Sequence, residues 1–495
     1  MTTIQLSPSD SVAVALTPLN AGERVAAGSI TVTAASSDIA AGHKIALHDM
    51  AAGEDVIKYG CVIGHASEPI PAGAWVHSHN LATNLGANLE YSYAPRDGAR
   101  TQVQSTKTFP GFRRRNGEVG VRNSLFIVPT VGCINGAVES VARQFEQVHQ
   151  GFGAFDGVIV AGHPYGCSQL GGDLDATRRL LQDIIAHPNA GGVLVMGLGC
   201  ENNQLGELRA GLGDCDESRV KFLIAQQSDD EIGDALNLLE ELNEAATDDE
   251  RTDVPLSALR VGLKCGGSDG FSGITANPLL GRFSDYLVSQ GGTAVLTEVP
   301  EMFGAEQVLM SRAADEAVFN GIVAMVNDFK DYFRRYGQPI YDNPSPGNKE
   351  GGITTLEEKS LGATQKGGTS PVVDVLDYGG RIRRPGLSLL QAPGNDLVSS
   401  TALAAAGCQI VLFTTGRGTP FGTIVPTIKV STNTALAQRK SGWIDFDAGA
   451  LLDESMDDVT ARFADFVLAI AAGQPARNEV NRMQQIAIFK DGVTE

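Results

Sequence analysis

Five of the eight histidines in this 495-residue chain, His43, His48, His65, His77 and His79, fall within its first eighty positions. His77-Ser78-His79, if extended, turns two imidazoles to one face of a strand. With His43 as a third donor, the set has the composition of a site for a divalent transition metal. Solvent-facing histidine pairs share the same spacing, so it is the local enrichment that recommends these residues. Lys44 and Lys58 lie in the same region. Each is a candidate clamp for a substrate carboxylate or an ordinary solvated cation.

A second group sits in glycine-bearing loops that follow apolar runs. Residues 261–285, VGLKCGGSDGFSGITANPLLGRFSD, begin as a buried strand carrying Lys264 and break into Cys265, Gly266, Gly267, Ser268, Asp269 and Gly270. Glycine at such a break lets backbone N–H groups approach a ligand. His163 in HPYGC, Asn202 in CENNQ, Glu298 and Glu301 in LTEVPEMFGAE, and Arg417 in TTGRGTPFG occupy comparable places. An arginine between glycines presents a fork that matches a carboxylate. Acids, bases and cations gathered at one sheet edge read as an enzyme pocket.

Cys133, Cys167, Cys200 and Cys265 each lie beside a glycine at the end of a strand-like run. Thiolates hold iron–sulfur clusters, so the four suggest one. No CxxC pair accompanies them, and small residues at tight backbone turns account for the same pattern.

The elements that would position these side chains fall into two kinds. Residues 1–85 read as a small β module, with short strands expected at 12–16, 30–33, 44–47, 56–59 and 75–77 between Ala-Gly turns. Residues 86–120 are polar and without period, and read as a linker. From 121 to 250, strands alternate with helices. Helices are expected over 135–150, with Val138, Val141, Ala142, Phe145 and Val148 facing inward, over 173–186, and from Ser228, where Glu231 completes a capping box. Residues 251–495 form a second α/β block, in which 341–368, rich in glycine and proline, are expected as an ordered active-site loop. The expected architecture is α/β: a small β module, then two blocks with largely parallel sheets.

A net charge of −20 argues against nucleic-acid or anionic-membrane partners. No apolar run reaches the length of about 18 residues needed to span a bilayer. The start, MTTIQLSPSD, has neither the basic nor the apolar region of a signal peptide, and seven scattered cysteines suit free thiols in a reducing cytoplasm. P-loop, GxGxxG, HExxH and GxSxG patterns in their required contexts are missing, which disfavours nucleotide-dependent and serine-hydrolase chemistry.

Several long phrases are shared with a known family. GHKIALHDMAAGEDVIKYG, WVHSHN, PTVGCINGA, YGCSQLGGD, MGLGCENNQ, CGGSDGFSGITANPLLGRFSD, LTEVPEMFGAEQ, NPSPGNKEGGITTLEEKSLG, QAPGND and TGRGTP cover essentially the whole chain. In these the sequence closely resembles the altronate/galactarate dehydratase family. The resemblance implies that the first module is a SAF domain with a β-clip fold. It also implies dehydration of D-altronate to 2-dehydro-3-deoxy-D-gluconate in hexuronate breakdown, with ferrous iron, Fe(2+), as cofactor and Mn(2+) as its substitute. Galactarate or another sugar acid is the alternative substrate, and an iron–sulfur dehydratase using the strand-end cysteines is the alternative chemistry.

Such a reaction takes a weakly acidic proton from the carbon beside a carboxylate and expels hydroxide from the next carbon. The residue types assign His43, His77 and His79 to a metal, and Glu298, His163 and Lys264 to catalysis. Arg417, Lys44, Lys58, Asn202, Ser268 and Asp269 are assigned to substrate binding. The β module is expected to close over the mouth of the α/β pocket. A small sugar acid is the expected partner, with homo-oligomerisation open.

Overall fold

The computed structural model describes residues 2–28, 30–34, 38–86, 91–94, 107–213 and 215–495. The first module holds an antiparallel sheet of Thr3–Ile4, Val12–Ala15, Lys44–Ala46 and Trp75–Val76, and a second of Asp55–Lys58, Cys61–Ala66 and Leu81–Ala82. Part of its apolar core, around Val12, Val56, Ile63 and Val76, is completed by Ala305 and Leu361 of the distant α/β block. The module is thus docked by burial of its own core residues.

Trp75–Val76 stops one residue short of His77. The N–H groups of Asn80 and Leu81 both bond the His77 carbonyl, which bends the chain into a turn. Strand alternation therefore does not apply to His77 and His79: His77 turns inward and His79 faces solvent.

Residues 87–90 and 95–106 of the expected linker lie outside the described residues. Its end is ordered β structure. Thr108–Arg113 pairs antiparallel with Val119–Gly120 and with Thr252–Pro255, because Phe109 and Phe112 bury themselves from it.

The next block carries strands β1 (Ser124–Pro129), β2 (Val158–Val160), β3 (Ala190–Gly197) and β4 (Val220–Ile224), all parallel in the order β2-β1-β3-β4. Helices α1 (Asn135–His149) and α2 (Gly172–Ile185) form crossovers between its strands, the short helix Leu205–Ala210 joins β3 to β4, and α3 (Glu231–Ala246) follows β4. Val138, Val141, Ala142 and Phe145 are buried as the helical period requires, while Val148 at the last turn is exposed. The cap of α3 is Asp230, whose carboxylate accepts from the Gly233 N–H at 3.0 Å, not Ser228.

The last block is a seven-stranded parallel sheet. It comprises β5 (Arg260–Cys265), β6 (Thr293–Leu296), β7 (Val372–Leu376), β8 (Gly386–Leu390), β9 (Ile410–Thr415), β10 (Thr427–Ser431) and β11 (Phe446–Asp447) in the order β7-β8-β6-β5-β9-β10-β11. The order reverses between β5 and β9, which places a crevice at their carboxyl ends, where ligands of open α/β sheets bind. Residues 341–368 are not a loop. Ser345 caps a turn of helix at Pro346–Glu350, and Thr355 caps Leu356–Thr364, whose nine residues are all buried. Two glycines make the seam with the first module possible. A Cβ at Gly270 would stand 2.0 Å from the Gly42 carbonyl oxygen, and one at Gly352, where φ is +100°, 2.3 Å from it.

Candidate active site

Lys264 is a charged side chain in an otherwise buried run, so β5 must supply it with partners. Its ammonium donates to Glu298 at 2.6 Å, to Asp396 at 2.8 Å and to the Cys265 carbonyl at 2.8 Å. Glu298 follows β6 in a left-handed conformation, φ +69°, that a non-glycine residue rarely holds. Its second carboxylate oxygen accepts from the Cys265 N–H at 3.2 Å. Asp396 is free to face Lys264 because its neighbour Asn395 caps the helix Asp396–Ala405, accepting from the N–H groups of Leu397 and Val398.

Cys265 extends the network. Its thiol donates to Glu301 at 2.8 Å and accepts from Lys366 at 2.8 Å. Glu301 pairs in turn with Lys359 at 2.8 Å. Burial and then the Glu301 charge push the thiol up to about 12, so it stays protonated at neutral pH. Burial opposes ionisation of Glu301, but Lys359 and Lys366 outweigh it and hold the carboxyl at about 2. Burial also opposes the charge on Lys264; the carboxylates of Glu298 and Asp396 outweigh it and raise the ammonium above its ordinary value. Lys264 is therefore a persistent cation and hydrogen-bond donor, not a base.

The helix Leu356–Thr364 ties this network to the first module through three consecutive charged residues. Glu357 accepts from Thr83 Oγ1 at 2.8 Å and the Asn84 N–H at 2.7 Å. Glu358 accepts from Lys44 at 2.8 Å and from Lys58 at 2.7 Å, and Lys359 holds Glu301. The expected clamps Lys44 and Lys58 thus spend their ammonium groups on an internal carboxylate. One glutamate cannot fully compensate two buried lysines. Burial lowers Lys44 to about 8, and the same two lysines overcome burial to hold Glu358 at about 2.

The network reaches solvent at its rim, where the Asp396 side chain is 38 % and the Arg417 side chain 47 % exposed. Arg417 donates to Glu350 at 3.0 Å, and its backbone N–H bonds the Gly267 carbonyl. Ser268 is buried, and its carbonyl accepts from Asn348 at 2.8 Å. Asp269 is spent internally: one oxygen accepts from the Phe271 N–H and Ser272 Oγ, the other from Thr432 Oγ1 and Asn433 Nδ2. It braces the glycine loop and has no free oxygen for substrate.

The structure separates two further expected residues from this network. His163 is buried beside β1 and β2: Nε2 donates to the Pro129 carbonyl at 2.9 Å and Nδ1 accepts from the Tyr165 N–H at 3.2 Å. Both ring nitrogens are taken, so it orients a loop instead of moving a proton. Asn202 lies in the same block and accepts from the Ser168 N–H at 2.8 Å.

The first 84 residues match a family model described as the altronate/galactarate dehydratase SAF domain. Residues 111–247 match the second domain of D-galactarate dehydratase/altronate hydrolase, and 256–494 the C-terminal domain of D-galactarate/altronate dehydratase. The chain belongs to the D-galactarate/altronate dehydratase family. It is 55 % identical to an altronate dehydratase of Bacillus subtilis and 54 % identical to one of Escherichia coli, each over 99 % of both chains. A galactarate dehydratase (L-threo-forming) of Escherichia coli is 34 % identical over 98 % of this chain and 96 % of its own.

The iron expected in a chain of this dehydratase family needs donor atoms that are not already taken. His43 has no free nitrogen, since Nδ1 accepts from the Trp75 indole N–H at 3.1 Å and Nε2 donates to the Glu350 carbonyl at 3.1 Å. His77 Nδ1 bonds Thr354 Oγ1 at 2.8 Å, and His79 points outward. Among the described residues, ligand atoms of Cys265, Glu298 and Glu301 do converge within 4.8 Å of one another. Each of the three already carries a lysine ammonium: Lys366, Lys264 and Lys359. A divalent cation there would add charge to a set whose charges are balanced, so neither group fits a resident iron.

Glu358 and Lys366 were not singled out by their types. The sequence Thr355-Leu356-Glu357-Glu358 carries the Thr-x-x-Glu start signal of a helix, which would have turned the expected loop into an element.

Proposed function

We propose that this chain dehydrates D-altronate to 2-dehydro-3-deoxy-D-gluconate, as a carbon–oxygen hydro-lyase of hexuronate breakdown. The observation that carries the reading is the Lys264–Asp396 pair: a buried cation beside a carboxylate that solvent reaches, at the crevice between β5 and β9. Identity of 54–55 % to proteins named altronate dehydratase, against 34 % to the one named galactarate dehydratase, favours altronate as the sugar acid.

In this reading Arg417 takes the substrate carboxylate in two-point geometry. Asp396 accepts the C2 proton. Lys264 lies beside the electron density that builds on the carboxylate and stabilises it without reorganisation, because Glu298 fixes it in place. The protonated Asp396 returns that proton to the departing C3 hydroxyl, which leaves as water, and the enol becomes the 2-keto acid. Every step in this reading falls to the chain's own side chains, because the donors of the network do not fit a metal.

Purified protein incubated separately with D-altronate and galactarate, and assayed for a 2-keto-3-deoxy product, tests the proposal. Product from altronate at a kcat/KM at least tenfold above that for galactarate is the expected result. Product from galactarate alone overturns the substrate assignment, and product from neither overturns the activity.

A further inference from the structure

Three exposed thiols outside this network stand together on the four-stranded sheet. Cys133, Cys167 and Cys200 lie on the loops that follow β1, β2 and β3, three neighbouring parallel strands. The strand order reverses between β1 and β3, so these loops rim a switch-point crevice. Cys265, grouped with them by sequence, is buried on the other sheet and does not belong to the set.

The loops are bonded to one another next to each cysteine. The Gly132 N–H donates to the Tyr165 carbonyl at 2.8 Å, and the Asn203 N–H to the Gly166 carbonyl at 2.9 Å. The Ser168 N–H donates to Asn202 Oδ1 at 2.8 Å. Glu201 fixes the third loop, accepting from Thr130 Oγ1 at 2.5 Å and from the N–H groups of Leu198 and Gly199 at 3.0 and 2.5 Å. The buried His163 locks the second. Polar side chains that expectation gave to catalysis and substrate thus hold three sulfur-bearing loops in place.

The spacing of the sulfurs excludes one kind of ligand. The three thiols do not fall within 4.8 Å of one another, unlike the Cys265 set. A single tetrahedral ion with metal–sulfur bonds of about 2.3 Å holds its sulfurs within about 4.6 Å. A cluster spreads its thiolates over several irons. We propose that Cys133, Cys167 and Cys200 bind a four-iron, four-sulfide cluster through three thiolates, leaving one iron to an oxygen ligand from outside the protein. Two ferrous ions, two ferric ions, four sulfides and three thiols give the bound cluster and three released protons, with no external oxidant.

The test is anaerobic reconstitution of the full chain with those ions and sulfide, followed by desalting. About four irons and four acid-labile sulfides per chain, with a broad visible absorption, are expected. Cys133→Ser, Cys167→Ser and Cys200→Ser should each lower the retained iron at least threefold, while Cys215→Ser keeps it. Iodoacetamide labelling provides a second readout: the cluster should protect the three thiols and leave Cys61 reactive, even if a serine variant misfolds. Retained iron below about one per chain, or iron unchanged in Cys133→Ser, overturns the proposal. Altronate dehydration by protein that retains no cluster after reconstitution would remove this inference and leave the dehydratase reading intact; a cluster without altronate turnover would do the reverse.

Discussion

Lys44 lies 2.8 Å from Glu358, and neither side chain is exposed. Lys58 reaches the same carboxylate at 2.7 Å. The first module is therefore held to the α/β block by a buried ion triad with one positive charge in surplus. Removing the carboxylate strands both lysines. Glu358→Gln should destabilise the chain by about 3–5 kcal/mol in denaturant unfolding, the range for breaking a buried pair. A loss under about 1 kcal/mol would count against the triad as the clasp.

The same carboxyl sets an acid limit. It titrates at about 2 in the folded chain against an ordinary 4.5. Its contribution is complete above pH 4.5 and is lost as pH falls toward 2, a change of about 3 kcal/mol. Stability measured from pH 6 to pH 3 should fall less steeply in Glu358→Gln than in the parent.

Either lysine alone suffices for Glu358. Lys44→Met and Lys58→Met should each change stability by less than about 2 kcal/mol, whereas the double variant leaves an unpaired buried carboxylate and should lose more than the sum. In Lys58→Met, the amine held near 8 by burial and the competing lysine should titrate higher, as Lys44 then has the carboxylate to itself. Additive losses in the double variant would refute the shared-carboxylate account.

At the rim, Arg417→Lys keeps the charge and removes the fork. KM for altronate should rise about tenfold with kcat within about threefold, a pattern of lost uniform binding. Lys264→Met should instead lower kcat at least 100-fold, in the range for losing a group that stabilises developing charge. An equal effect of both variants on KM alone would move Lys264 out of the chemistry.

Cys265 offers a chemical check. Its thiol is buried and pushed up to about 12, so brief alkylation at pH 8 should leave it unmodified in the native chain. Mass spectrometry should find label on exposed Cys61 and not on Cys265.

Much of the fold follows from local pattern. The apolar runs at β1, β3, β5 and β9, and the helical period of Val138, Val141, Ala142 and Phe145, are carried by residues a few positions apart. So is the glycine break after Lys264. The misreadings share one cause. His77-Ser78-His79 looks extended until the bonds from Asn80 and Leu81 curl it. Residues 341–368 look like a loop because their helix is buried on every side and carries charged residues in place of an apolar stripe. Asp269 and His163 look reactive because sequence cannot show that all their polar atoms are occupied.

The sequence by itself determined which strands end in glycine and polar side chains, since backbone freedom and burial are properties of neighbouring residues, and its long shared phrases named the family. Only the tertiary structure decided which charges meet. Lys44 and Glu358 are separated by 314 positions and Lys264 and Asp396 by 132; ion pairs form through space, and the sheet order that closes those distances is written in no local stretch of the chain.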